Sequence, residues 1–142
     1  LEKSVEGKTQ DNVDRAKHIS WGYPEKLDAI NYPKPPLDSY KKIAKALDDS
    51  VIDSVSIEDA HRHNDLNLLK DYKKTKVIFG LIKIANSKIE TQEEIEARIN
   101  EGLKFISKDQ LIAAPDCGLG HLNKELAMKK LKVMSLTAKK FN

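Results

Sequence analysis

The chain has 142 residues, 25 basic and 22 acidic, with 39% hydrophobic and 33% charged side chains. That is one domain's length with enough apolar content for a core, which excludes intrinsic disorder, and no apolar run reaches the ~18 residues of a bilayer span. The net charge of +3 comes from interleaved signs and gives no ground for a nucleic-acid or membrane partner, while a single cysteine excludes an intramolecular disulfide framework and fits a reducing compartment, the cytoplasm.

The chain begins at Leu1 with neither Met nor a secretory leader pattern, so the expectation is a processed chain or a piece of a longer polypeptide. Residues 16–21 (AKHISW) form the first short apolar run, bounded by polar residues, and read as a buried strand. Residues 23–36 carry four of the five prolines and read as a long ordered loop, because helical spacing resumes at residues 40–47 (YKKIAKAL). Residues 51–57 (VIDSVSI) are the second strand and 66–72 a short helix. Residues 77–84 (VIFGLIKI) are the third strand. In residues 91–106, Ile95, Ile99, Leu103 and Ile106 share one helical face, and Thr91 with Glu94 forms a capping box. Residues 111–114 (LIAA) are the fourth strand. The last segment, 122–141, sets Leu122, Leu126, Leu131 and Met134 among lysines. Strands alternating with helices mean α/β, and continuous apolar strands mean a parallel sheet covered on both faces, as an open sheet or a (β/α) barrel.

Polar chemistry gathers where these strands end. The first carries His18 and Ser20; the second ends at Glu58, followed by Asp59, His61, Arg62 and His63. The third runs out at Lys83, Asn86 and Lys88, and the fourth at Asp116, Cys117, Gly118 and Gly120. In parallel α/β folds the βα loops converge at the carboxyl ends of the strands, and ligands bind there. Polar residues also cap ordinary strand ends, and residues 116–120 read equally as a turn. His, Glu and Cys are zinc ligands. Positions 18, 58 and 117 are far from any zinc-finger spacing, so only the fold could assemble such a site.

SIEDAHRHNDL (56–66), KVIFGLIKIANSKIETQEEI (76–95) and LIAAPDCGLG (111–120), in this order and spacing, resemble the cobalamin-independent methionine synthase family, and most closely its shorter single-barrel relatives. HISWGYPEKLD (18–28) falls where that family has a His-x-Cys segment. The resemblance spans nearly the whole chain. It implies the carboxyl-terminal half of a (β/α)8 TIM barrel, four βα units forming a single partial domain over residues 1–142. Half a barrel leaves two strand edges unpaired, so the expected partner is the missing half-barrel or a second copy.

The same resemblance implies a Zn²⁺ cofactor with His18, Glu58 and Cys117 as ligands, and Ser20 in the remaining ligand position, which weakens or abolishes metal binding. The implied activity is methyl transfer from methyltetrahydrofolate to the thiol of homocysteine, a methyltransferase step of methionine biosynthesis. Alternatives are alkylation of another small thiol, as in epoxyalkane:coenzyme M transferases, or a metal-free member that binds a small molecule. Asp116 is the expected catalytic residue, either orienting the site or bonding a substrate amine. The family's third-strand histidine is Ala85 here, so its role does not transfer, and Lys88 stands where the family has Arg. His61 and His63 read as helix-start, solvent-facing or substrate-contacting residues, and His121 as a surface residue. Lys124, Lys129, Lys130, Lys132, Lys139 and Lys140 read as the solvated face of an outer barrel helix.

Overall fold

The computed structural model describes residues 14–30 and 32–142; the chain start at Leu1, and Asn31 within the proline-rich loop, lie outside them. Strands β1 (Ala16–Ile19), β2 (Ser54–Ile57), β3 (Lys76–Ile82) and β4 (Leu111–Pro115) form a parallel sheet. Among the described residues its order is sequential, β1-β2-β3-β4. Helices α1 (Ser39–Asp48), α2 (Gln92–Gly102) and α3 (Lys124–Ala138) follow β1, β3 and β4. After β2 the connection is a six-residue 3-10 helix, Leu66–Asp71. Sequential order with no reversal is the winding of a βα barrel; a doubly wound sheet reverses at a switch point.

Strand parity separates the two faces. Val55, Ile57, Val77, Phe79 and Leu81 are at most 4% exposed and pack into one core with Tyr40, Leu47, Leu69, Ile95, Ile99 and Met134. The alternate positions face the other way, and His18, Ser56, Ile78 and Ile112 form one register row across all four strands. This second face is open at both sheet edges: Ala16 and His18 on β1, and Ser20 just past it, are exposed, and Ile112 is 40% exposed on β4. Covering on both faces, expected from the apolar runs, therefore holds for the inner strands, where all of β2 and Gly80–Ile82 of β3 are buried, and fails at the edge strands β1 and β4 among the described residues.

Local chemistry sets the element ends. The strand expected from Val51 begins at Ser54, because the Asp53 carboxylate accepts the Arg15 N–H at 2.8 Å and leaves Val51 38% exposed. The helix expected over 66–72 is a 3-10 turn, in which Leu66 and Leu69 eclipse each other and are both buried. The capping box of α2 is formed on both sides: Thr91 Oγ1 accepts the Glu94 N–H at 3.1 Å, and Glu94 Oε2 accepts the Thr91 N–H at 2.8 Å. That helix ends at Gly102, and the chain reaches Ile106 through tight turns. In α3 the buried residues are Lys130, Met134 and Thr137; of the expected stripe, Met134 and, just before the helix, Leu122 are buried, and Leu131 packs against the core. Lys130, expected in solvent, is fully buried with its ammonium on the Glu90 carboxylate at 2.9 Å and on the Lys88 carbonyl. No described helix is long and apolar enough to cross a membrane.

Candidate active site

The strand ends are joined by buried side-chain bonds. Tyr40 on α1 donates its hydroxyl to the Ile19 carbonyl at 3.0 Å and accepts the Glu58 N–H at 2.9 Å, locking the end of β1 to the end of β2. Burial pushes this phenol well above its ordinary range. Asp116, just past β4, accepts the N–H groups of Asp59, Ala60 and His61 at 2.8, 2.9 and 2.8 Å, and bonds His61 Nδ1 at 2.7 Å. His61 Nε2 accepts the Ala85 N–H at 3.1 Å, so Nδ1 carries the proton donated to Asp116. Asp59 and Arg98 pair through two bonds of 2.6 and 2.7 Å, fastening the same turn to α2. Gly80 permits this assembly, since a Cβ there would lie 1.9 Å from Asp116 Oδ1.

The proline-rich loop folds across the strand ends. Asp28 adopts φ 62°, a left-handed geometry that Asp tolerates better than most residues. Its N–H donates to the Ala85 carbonyl at 2.9 Å and its carboxylate accepts the Ser87 N–H at 2.7 Å, which holds that carboxyl below its usual range. Arg62 Nη2 donates to the Pro35 carbonyl at 2.5 Å. Anchored this way, the loop delivers Tyr23, Tyr32 and Lys34 to the carboxyl end of β2. Burial and the neighbouring Asp116 and Glu58 push the Tyr23 phenol far up, and its hydroxyl has no hydrogen-bond partner among the described residues.

Two sets of side chains result. His18 Nε2 lies 3.2 Å from Cys117 Sγ, with His18 Nδ1 2.9 Å from Ser56 Oγ. In the tautomer that donates Nδ1–H to Ser56, Nε2 turns its lone pair to the thiol. In the second set, Glu58 Oε1 accepts the Ser20 hydroxyl at 2.7 Å and the Trp21 N–H at 2.8 Å, while Oε2 takes the Lys34 ammonium at 2.5 Å. Lys34 and Glu58 side chains are 8% and 5% exposed, a buried ion pair.

His18 and Cys117 thus meet as the sequence suggested, and Glu58 is turned instead to Ser20 and Lys34. Asp116, expected as the catalytic residue, is 0% exposed with both oxygens engaged inside the turn; this is the position of a residue that orients the site. His61 belongs to the same turn, and the next helical turn after β2 starts only at Leu66. Lys88 pairs with Glu94 at 2.7 Å, away from these groups. With His63, Lys83, Asn86, Glu90 and Arg98 it lines a separate cavity of about 250 Å³. His121 is exposed. Tyr23, Tyr32 and Lys34 were not anticipated: a loop has no periodicity to say where its side chains point. Arg98 did leave a signal, a charge on the face carrying Ile95 and Ile99.

A tetrahedral zinc centre needs three or four donors converging on one point. Here Ser20 and Glu58 bond each other, an ammonium occupies the second carboxylate oxygen, and among the described residues no three His, Cys, Asp or Glu side chains are grouped to hold a metal. The residues in this arrangement do not fit zinc.

Residues 37–140 match the family model described as "Cobalamin-independent synthase, Catalytic domain". A methionine synthase of Thermococcus kodakarensis is 31% identical over 94 residues, covering 66% of this chain and 28% of its own. One from Saccharolobus islandicus is 29% identical over 125 residues, covering 82% and 38%. The solved structure of a B12-independent methionine synthase from Shewanella sp. W3-18-1, in complex with selenomethionine, superposes with a TM-score of 0.78. It is 29% identical, covering 98% of this chain and 40% of that one. The chain therefore spans well under half the length of these relatives.

Proposed function

Because the chain belongs to the family of cobalamin-independent synthase catalytic domains, we propose that it is the second half of a catalytic barrel that transfers a methyl group from methyltetrahydrofolate to the thiol of homocysteine, giving methionine. The observation that carries this reading is the meeting of His18 from β1 with Cys117 from the end of β4, beside Glu58 at the end of β2, all at the carboxyl ends of one parallel sheet. The selenomethionine bound by the Shewanella relative supports a thioether amino acid as the product class.

The described residues supply positioning and a proton acceptor. His18 Nε2, steered by Ser56, takes the proton of a substrate thiol that replaces Cys117 Sγ as its partner. The thiolate sulfur then forms its bond to the methyl carbon as the bond from that carbon to the donor breaks. The electron pair stays with the donor, which takes up a proton. Glu58 and Lys34 neutralise each other as a buried pair and fix the end of β2 against the loop, shaping the wall beside His18. Holding thiol and donor in line supplies much of the acceleration of such a displacement.

A second reading, a metal-free member that binds a small thiol without transferring a methyl group, is favoured by Ser20 and Lys34 at Glu58. Incubation of the full-length protein with homocysteine and methyl-labelled methyltetrahydrofolate separates the two, with coenzyme M as a parallel acceptor. Labelled methionine is expected, reduced about 100-fold or more in His18→Ala. Label on coenzyme M alone moves the assignment to the related alkyl transferases. Homocysteine binding without product supports the second reading, and no binding of either thiol overturns both.

A further inference from the structure

The family resemblance brings a zinc ion with it, and the side chains here are arranged around a different cation. Lys34 Nζ sits 2.5 Å from Glu58 Oε2, 4.7 Å from the centroid of the Tyr23 ring and 5.2 Å from that of Tyr32. An ammonium has three donors and no acceptor. One N–H is used on the carboxylate, and the two aromatic faces lie within cation–π range of the others. The lysine side chain is 8% exposed, so it is built into the site. A long flexible side chain buried this deeply loses much rotamer freedom, and the aromatic faces and carboxylate offset that loss.

The remaining donors agree. Ser20 donates its hydroxyl to Glu58 Oε1, where a ligand would turn its lone pairs toward a shared ion. The Trp21 N–H donates to the same oxygen. Both carboxylate oxygens of Glu58 are therefore engaged, one with a full positive charge. A divalent ion ligated by Glu58 would sit within a few ångströms of that ammonium, against direct repulsion in a site with little water to screen it. His18 and Cys117 alone make two donors, short of a tetrahedral set.

We infer that Lys34, caged by Tyr23 and Tyr32, is the resident cation of this site, neutralising Glu58 in the place of a metal ion, and that the chain works metal-free. The inference uses the site of the proposed transfer, yet its test needs no turnover, so either idea can fail while the other stands.

The experiment is metal analysis of the full-length protein after equilibration with zinc and gel filtration, beside the rate at which iodoacetamide alkylates Cys117 with zinc or with chelator. The wild type is expected to retain less than about 0.1 zinc per chain, with one Cys117 rate in both conditions. The double variant Ser20→Cys, Lys34→Met restores a thiol and removes the ammonium. It is expected to take up about one zinc per chain, with affinity raised 100-fold or more. Cobalt loading of the double variant gives the intense thiolate-to-metal absorption that the wild type lacks. One tightly held zinc per wild-type chain, protecting Cys117 from alkylation until chelator is added, overturns the inference whether or not the variant folds.

Discussion

Asp116 shows how one buried carboxylate sets a functional loop. Its two oxygens take four donors from the turn that follows β2, and that turn begins one residue after Glu58. Replacing Asp116 with Ala strands three buried N–H groups, at about 1–3 kcal/mol each before relaxation, so the expected loss of at least 3 kcal/mol is readable in a urea-unfolding midpoint. Gly80→Ala is expected to lower the same midpoint, because its Cβ meets Asp116 Oδ1 and, at 3.0 Å, the Asp116 backbone. An unchanged midpoint in both variants contradicts this account of the turn. Arg98→Met leaves Asp59 charged and buried, with an expected cost of about 3–5 kcal/mol. The residue-scale site was partly legible in the sequence. His18, Glu58 and Cys117 stand at strand ends, where parity and the parallel-sheet rule place chemistry. Lys34 was not legible, because its partner was fixed by a loop whose path depends on Asp28, Arg62 and Ala85, three anchors far apart in sequence.

At the scale of elements, periodicity and caps carried the reading and tertiary packing corrected it. The Thr91–Glu94 box marks the start of α2 as its residues predict, and Thr91→Ala is expected to cost about 1 kcal/mol. Where the reading failed, long-range bonds had decided. Asp53 holds Arg15 and delays β2 to Ser54, and Lys130 is drawn inward by Glu90, adding a buried charge beside Met134 and Leu131 on the packed side of α3. Asp48 at the end of α1 is a third such bond. Its carboxylate accepts the N–H groups of Lys74 and Thr75 at 3.1 and 2.9 Å, just ahead of β3. Burial works to raise this carboxyl, and the backbone donors outweigh it and hold it below the usual aspartate range. A group depressed in the folded state stabilises above its unfolded value of about 3.9, and that stability fades as acid protonates the native carboxylate. Asp48→Asn is therefore expected to lose about 2 kcal/mol at pH 7, and the gap to the wild type to close toward pH 2–3. A pH-independent gap contradicts the assignment.

The described residues form four strand-and-crossover units, covered by helices on one face and exposed on the other at the sheet edges. β1 and β4 are edge strands among the described residues, and of the row His18, Ser56, Ile78 and Ile112 the two edge members, His18 and Ile112, are exposed. A barrel interior is normally filled by layers of side chains from all eight strands, so the half-barrel proposed above calls for a second half at this face. Sedimentation of the 142-residue chain is expected to find it associated, with itself or with a complementary half-barrel; a stable, compact monomer of 16.0 kDa contradicts that. The central claim is that the carboxyl ends of these strands form a small-thiol site built jointly by His18 and Glu58. Calorimetric titration of homocysteine into the full-length protein tests it most directly. The account predicts one site per chain, with affinity at least tenfold weaker in His18→Ala and in Glu58→Gln and unchanged in the remote Glu125→Gln. No binding, or equal affinity in all four proteins, contradicts it.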